Sequence, residues 1–318
     1  MIYLLCLLAV AALSAWYWYL RWRAAPGTLV RSLSVPLLGL LIIGLGVLVY
    51  LERMDRTYVK DDSPILISIV IDLSLSMGAS PDPRNHGDTG TRMERAQKVL
   101  LPIVDALDAA DASVMVSVTG FTAIPETVLG WDNNLPQVRE VVEYVIAPGM
   151  LTEPGSDLGA ALQGVIPQFD NLPESFRDKK VRKYVLVVSD GEQTIEKGDM
   201  AAALADLRTR GVNMIALHAG MADIPEGIVV KDQTGAFQGF QDVNGQIYTV
   251  PDNETMKLVA GPDPETGLYV KPEQPGTVKQ ISDFIGIQIS AAAASSPMYT
   301  GSVLTLFALS IAMLLWYI

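Results

Sequence analysis

Residues 72–76 read Asp-Leu-Ser-Leu-Ser, so the oxygens of Asp72, Ser74 and Ser76 could converge on one hard divalent cation. One carboxylate with two hydroxyls at alternate positions suits Mg²⁺, Mn²⁺ or Ca²⁺, and no His or Cys stands nearby to suggest zinc. The cluster ends an apolar run, residues 65–71, whose near-continuous hydrophobicity is that of a parallel strand buried on both faces. Open α/β sheets bind ligands outside the carboxyl ends of their strands, which is where this strand delivers Asp72. Taken alone, such a cluster is more often a turn capped by its own side chains.

Two later segments tip that balance. A second apolar run, 184–188, leads into Ser189-Asp190-Gly191-Glu192, and Gly155-Ser156-Asp157 opens a helical pattern with a hydroxyl and a carboxylate. Three loops thus bring small oxygen donors to one sheet edge. With these residues the chain resembles the von Willebrand factor A family, whose metal-ion-dependent adhesion site joins D-x-S-x-S, a Thr or Ser in a glycine-led loop and the Asp of a [TS]-D-G turn. The resemblance implies a Rossmann-like α/β domain, a mainly parallel sheet flanked by helices, and a Mg²⁺ site (Mn²⁺ or Ca²⁺ as substitutes) on Asp72, Ser74, Ser76, Ser156 and Asp190. Ser156 stands where the family more often has Thr, which keeps the hydroxyl.

The elements needed to position these residues follow from pattern and punctuation. Thr91 and Glu94 predict a capping box opening a helix over 92–109, followed by a strand at 112–119 and a helix over 136–146. A helix at 200–210, a strand at 212–217, a helix at 253–260, a strand at 268–270 and a helix at 277–289 continue the alternation, which argues a sheet covered on both faces. Residues 222–253, rich in Gly, Asp, Gln and Pro, read as a hairpin-bearing insertion with β-prone pieces at 227–231 and 246–250. Residues 61–290 are expected to form this one domain.

The chain has 318 residues, of which 50% are hydrophobic, and the excess sits at its ends. Segments 2–20, 33–51 and 299–318 are uncharged and long enough to predict three membrane helices, two in residues 1–51 and one at the carboxyl end. Arg21, Arg23 and Arg31 place the first loop in the cytoplasm, so the domain is expected on the periplasmic side of a bacterial inner membrane. All 35 acidic and 20 of the 23 basic residues lie within 52–298, a formal charge of −15 that argues against nucleic-acid binding. The single cysteine, Cys6, leaves no disulfide within the domain.

This layout resembles membrane-anchored, aerotolerance (Bat) type members of the family, linked with MoxR-type AAA+ ATPases, and equally the related proteins of methanol dehydrogenase operons. The resemblance implies a scaffold or adaptor whose metal grips an acidic side chain of an envelope protein, with other A-domain proteins and an AAA+ ATPase as further partners. A surface adhesin is the alternative. Catalysis is not expected: a phosphohydrolase of the haloacid dehalogenase kind needs a second carboxylate two residues after its nucleophile, and position 74 is Ser. No phosphate loop is present, so ATP-driven work would belong to a partner.

Overall fold

The computed structural model describes residues 63–287, apart from 111–112, 178, 222 and 243–244, together with Arg23. The chain divides into two compact units, Met1–Asp61 and Asp62–Ile318. In the first only Arg23 is described, and the second holds everything that follows.

Among its described residues ten strands and six main helices follow one another: β1 (Ile65–Asp72), β2 (Ala79–Pro81), α1 (Arg92–Asp108), β3 (Val114–Phe121), β4 (Pro125–Asp132), α2 (Leu135–Glu140), α3 (Leu158–Asp170), β5 (Arg182–Ser189), α4 (Met200–Thr209), β6 (Val212–His218), β7 (Glu226–Lys231), β8 (Phe237–Phe240), β9 (Tyr248–Thr249), α5 (Asn253–Ala260), β10 (Gly267–Val270) and α6 (Thr277–Ile285). The main sheet runs β10-β6-β5-β1-β3-β4, parallel except for the antiparallel edge strand β4. A smaller antiparallel sheet joins β2, β7, β8 and β9.

β1 is central because every one of its residues is buried. Ile65, Ile67, Ile69 and Ile71 pack with Val99, Leu100 and Ile103 of α1 and Ile281 and Ile285 of α6, while Val70 faces Leu158 and Leu162 of α3 and Leu207 of α4. Each such aliphatic side chain contributes about 1.5–3 kcal/mol by leaving water. A one-residue slip of β1 would move Asp72 off the sheet edge, so this packing is what fixes the candidate ligand in place. The capping box forms as expected: Thr91 Oγ1 accepts from Glu94 N at 3.2 Å and Glu94 Oε2 accepts from Thr91 N at 2.7 Å.

Several expectations are revised. The fold class is corrected to an α/β domain with a mixed sheet, without the three membrane helices as part of it: among the described residues no helix is long and apolar enough to cross a membrane. The longest, α1, has 17 residues and is amphipathic, with Arg, Glu, Lys and Asp along it, whereas a crossing takes about 20 predominantly apolar ones. The segments 2–20, 33–51 and 299–318 on which those helices were expected lie outside the described residues. The strand expected at 112–119 runs from Val114 to Phe121, the helix expected over 136–146 stops at Glu140 and continues as a π turn over Val141–Val145, and β2 and β4 were not foreseen.

Candidate metal centre

Parallel pairing sets the site. β1 lies between β3 and β5, with Ile71 opposite Val188 and Asp72 opposite Phe121, so three strands end side by side. Asp72 is the last residue of β1, and its two oxygens take different partners: Oδ1 accepts from Ser74 N at 2.9 Å and Oδ2 from Ser189 Oγ at 2.8 Å. The turn it caps brings Ser74 Oγ and Ser76 Oγ to 2.9 Å from each other. Asp190 follows Ser189 directly, one strand over.

Ser156 reaches the same edge from α3. Asp157 N donates to Thr122 O at the end of β3, Ser156 N donates to Thr194 Oγ1 at 2.9 Å, and Thr194 N donates back to Ser156 O. The loop is therefore pinned to the strand ends on both sides of β1. Gly155, at φ +100°, makes the bend, and a side chain there would collide with Ile195. Among the described residues Ser156 Oγ bonds to none of the other four candidates, whereas Asp72, Ser74 and Ser76 form one hydrogen-bonded group. Asp157 serves the loop itself: Oδ1 caps α3 at Ala160 N, and Oδ2 accepts from Lys197 N and Gly198 N.

Charge is concentrated here. Asp72 and Asp190 are wholly buried. Burial, reinforced by Asp190, holds the Asp72 carboxyl well above the usual carboxylate range. Burial and then Asp190 also raise the half-buried Glu192. Asp190 Oδ2 accepts from Arg92 Nη1 at 2.5 Å, and Arg92 Nε donates to Glu226 Oε2 at 2.7 Å, all three side chains having no exposure. Arg95 joins Glu226 to Glu273. Two buried carboxylates, Asp190 and Glu226, are thus paired with two guanidiniums, and the third, Asp72, is left in excess with no guanidinium bonded to it among the described residues.

A divalent cation fits that excess. The candidate donors are carboxylate and hydroxyl oxygens, which suit a hard ion rather than zinc, and among the described residues no group of three or more His, Cys, Asp or Glu could by itself hold a metal. Behind Asp190, His218 Nε2 lies 3.1 Å from Asp190 O and Nδ1 lies 2.9 Å from Tyr269 Oη. Burial, then Lys271, push His218 down to about 4, so it stands there neutral.

Sequence reasoning missed Ser189, Thr194, Arg92, Arg95 and Glu226. One signal was available for the arginines: positive charge in the first turn of a helix opposes the helix dipole, so Arg92 and Arg95 at the start of α1 imply acidic partners from elsewhere. Glu226, inside the insertion, carried no comparable signal.

Residues 67–193 match the family model described as von Willebrand factor type A domain. A crystal structure of the conserved hypothetical protein BatB from Bacteroides thetaiotaomicron is similar at a TM-score of 0.54 and 22% identity, covering 73% of this chain and 100% of that one. An aerotolerance-related membrane protein from Bacteroides fragilis is similar at 0.55 and 21% identity, covering 70% and 98%. At these identities the likeness establishes the fold. No curated protein matches the chain in sequence.

Proposed function

We propose that this chain, whose residues 67–193 match the von Willebrand factor type A domain model, holds one divalent cation on Asp72, Ser74, Ser76, Ser156 and Asp190 and uses it to capture an acidic side chain of a partner protein. The observation that carries the reading is the buried, like-charged pair Asp72 and Asp190 at adjacent strand ends, with two hydroxyls already turned toward each other beside it. Domains of this family often bind a divalent metal, and Mg²⁺ is the ion best matched to so few carboxylates, with Mn²⁺ or Ca²⁺ as substitutes. When bound, the ion would supply a strong, open position for a further carboxylate.

The chain's own residues supply the rest. Ser74 and Asp72 are buried, whereas Ser76 is partly open and the intervening Leu75 is 52% exposed, so the site opens on that side. Met150, 44% exposed, stands beside it on a loop whose Gly149 N donates to Leu73 O. An apolar rim around a charged centre favours a protein ligand that brings an acidic residue flanked by apolar ones. Ser74 in place of a second carboxylate supports docking rather than phosphoryl chemistry. The similar structure's description as an aerotolerance-related membrane protein supports a membrane setting, and we read that setting as an envelope assembly in which an AAA+ ATPase partner would supply the ATP-driven work.

Calorimetry of the full-length chain tests the ion: Asp72→Ala abolishes Mg²⁺ and Mn²⁺ binding, and undiminished binding overturns the site. Co-purification with and without chelator tests the docking. Ser76→Ala, which removes one neutral ligand, reduces partner recovery while leaving the thermal melt unchanged. Equal recovery in all conditions rejects metal-gated capture.

A further inference from the structure

Arg92 occupies an unusual position, because its partners belong to three parts of the fold. Its guanidinium bonds Asp190 Oδ2 at the metal centre, Glu226 Oε2 at the first residue of β7, and, at 3.4 Å each, Ser76 O in the metal loop and Thr249 O in β9. Glu226 and Thr249 are paired residues of the small sheet, and Glu226 also faces Pro81 of β2, the strand that follows the metal loop. Glu226 is itself held from three sides: Oε1 accepts from Arg95 Nη2, and Oε2 accepts from Met221 N as well as from Arg92. One buried cation thus connects a candidate metal ligand to the register of the insertion sheet.

We propose that Arg92 is a resident cation that shares Asp190 with the metal and passes metal occupancy to the insertion sheet through Glu226 and Thr249. The inference rests on the metal reading above and adds the regulation of that site. A divalent ion on Asp190 must share the carboxylate with a guanidinium already seated on Oδ2, and the two cations repel in a low-dielectric setting. Arg92 has somewhere to go. As the bond from Nη1 to Asp190 lengthens, Nη1 keeps Ser76 O as an acceptor, while Glu226, bonded to Nε, balances the charge and the long contact from Nη2 to Thr249 O can shorten. Glu226 and Thr249 both lie on the β7–β9 pair, so the shift acts on the insertion sheet. In return, anything that pulls the insertion away from Arg92 tightens Arg92 on Asp190 and weakens the metal, since coupling between two sites is reciprocal. Arg92 is a positioning residue here rather than a ligand.

The test uses the full-length chain and Mn²⁺ as probe, with affinity measured by titration and amide hydrogen exchange followed over β2, β7 and β9. In the wild type, Mn²⁺ changes exchange in these strands by about threefold or more. The double variant Arg92→Gln/Glu226→Gln removes one charge of each sign, so the net charge near the site is unchanged while Asp190 loses its internal competitor. It is expected to bind Mn²⁺ about tenfold tighter, and its insertion no longer responds. A variant with wild-type affinity overturns the inference, as does a wild-type insertion indifferent to Mn²⁺, while the metal site itself stands. Should the variant fail to fold, the wild-type exchange comparison decides alone. A wild type that binds no Mn²⁺ removes the metal reading and this inference together.

Discussion

Asp72→Asn keeps the size of a side chain that has no solvent exposure and removes its charge. In the ion-free domain burial first, and Asp190 second, push this carboxyl from 3.8 to about 7. At about 1.4 kcal/mol per tenfold change in proton affinity, the ionised form costs the folded state about 4 kcal/mol. Because the folded value lies above the unfolded one, the stability from this group is present below pH 3.8 and is lost as pH rises to about 7. Asparagine does not titrate and escapes that loss. Part of the gain is returned, since the amide has one acceptor oxygen and Ser189 Oγ must turn to accept where it now donates, at a cost of about 1 kcal/mol. The ion-free variant should therefore be about 2–3 kcal/mol more stable than wild type at pH 8. Mg²⁺ closes that gap, stabilising wild type by about 2.7 kcal/mol at a hundredfold excess over Kd and by about 4.1 kcal/mol, enough to reverse the order, at a thousandfold excess, while leaving the variant unmoved. His218, lowered by burial from 6.5 to about 4, contributes stability present above pH 6.5 and lost toward about pH 4. That opposite trend is common to both proteins and cancels in the difference. The assay is urea unfolding of the full-length chain and variant, in chelator at pH 5 and 8 and again with Mg²⁺. A variant less stable than wild type at pH 8 in chelator, or one still stabilised by Mg²⁺, refutes the reasoning.

Metal affinity should itself depend on pH, because Asp72 must release a proton before it can ligate. Below about pH 7 the Mg²⁺ Kd should weaken about tenfold per pH unit, and a flat profile between pH 5 and 7 would show that Asp72 is not among the ligands. Gly191→Ala should destabilise the domain by about 2 kcal/mol or more, since residue 191 has φ +80° and a Cβ there would lie 2.2 Å from Asp252 O. An unchanged melting temperature would disprove that account of the turn after Asp190.

The sheet's centre was legible in the sequence because local pattern and tertiary environment agree there. Residues 65–71 and 184–188 are apolar on both faces because both faces are covered, so composition alone marks them as interior parallel strands. β4 went unseen for the opposite reason. As an edge strand it is half exposed, its pairing with β3 is irregular, and Pro125 and Gly130 punctuate it like a loop. β2 is a three-residue strand ending in Pro81, held by β7 from more than a hundred residues away, which no local window contains. The helix expected over 136–146 loses its α geometry at Val141, in a run of Val141, Val142 and Val145 whose branched side chains favour the helix poorly. The membrane helices were inferred from long uncharged apolar segments that lie outside the described residues, and among those described no helix is long and apolar enough to cross a membrane.

The same division applies within the site. Asp72, Ser74 and Ser76 declare themselves because three donors lie within five residues, and the strand before them says where they point. Arg92 and Glu226 do not, since each looks ordinary in its own segment and acquires meaning only through a contact across 134 residues. Yet the energetics required some such pair. Buried carboxylates side by side at strand ends would be unstable without compensating positive charge, and α1 begins with two arginines that its own dipole disfavours. A site built to bind and release an ion must hold enough internal cation to fold without it, and too little to do without it. Arg92, divided between Asp190 and Glu226, meets the first condition, and the raised Asp72 carboxyl, to which no guanidinium among the described residues is bonded, meets the second.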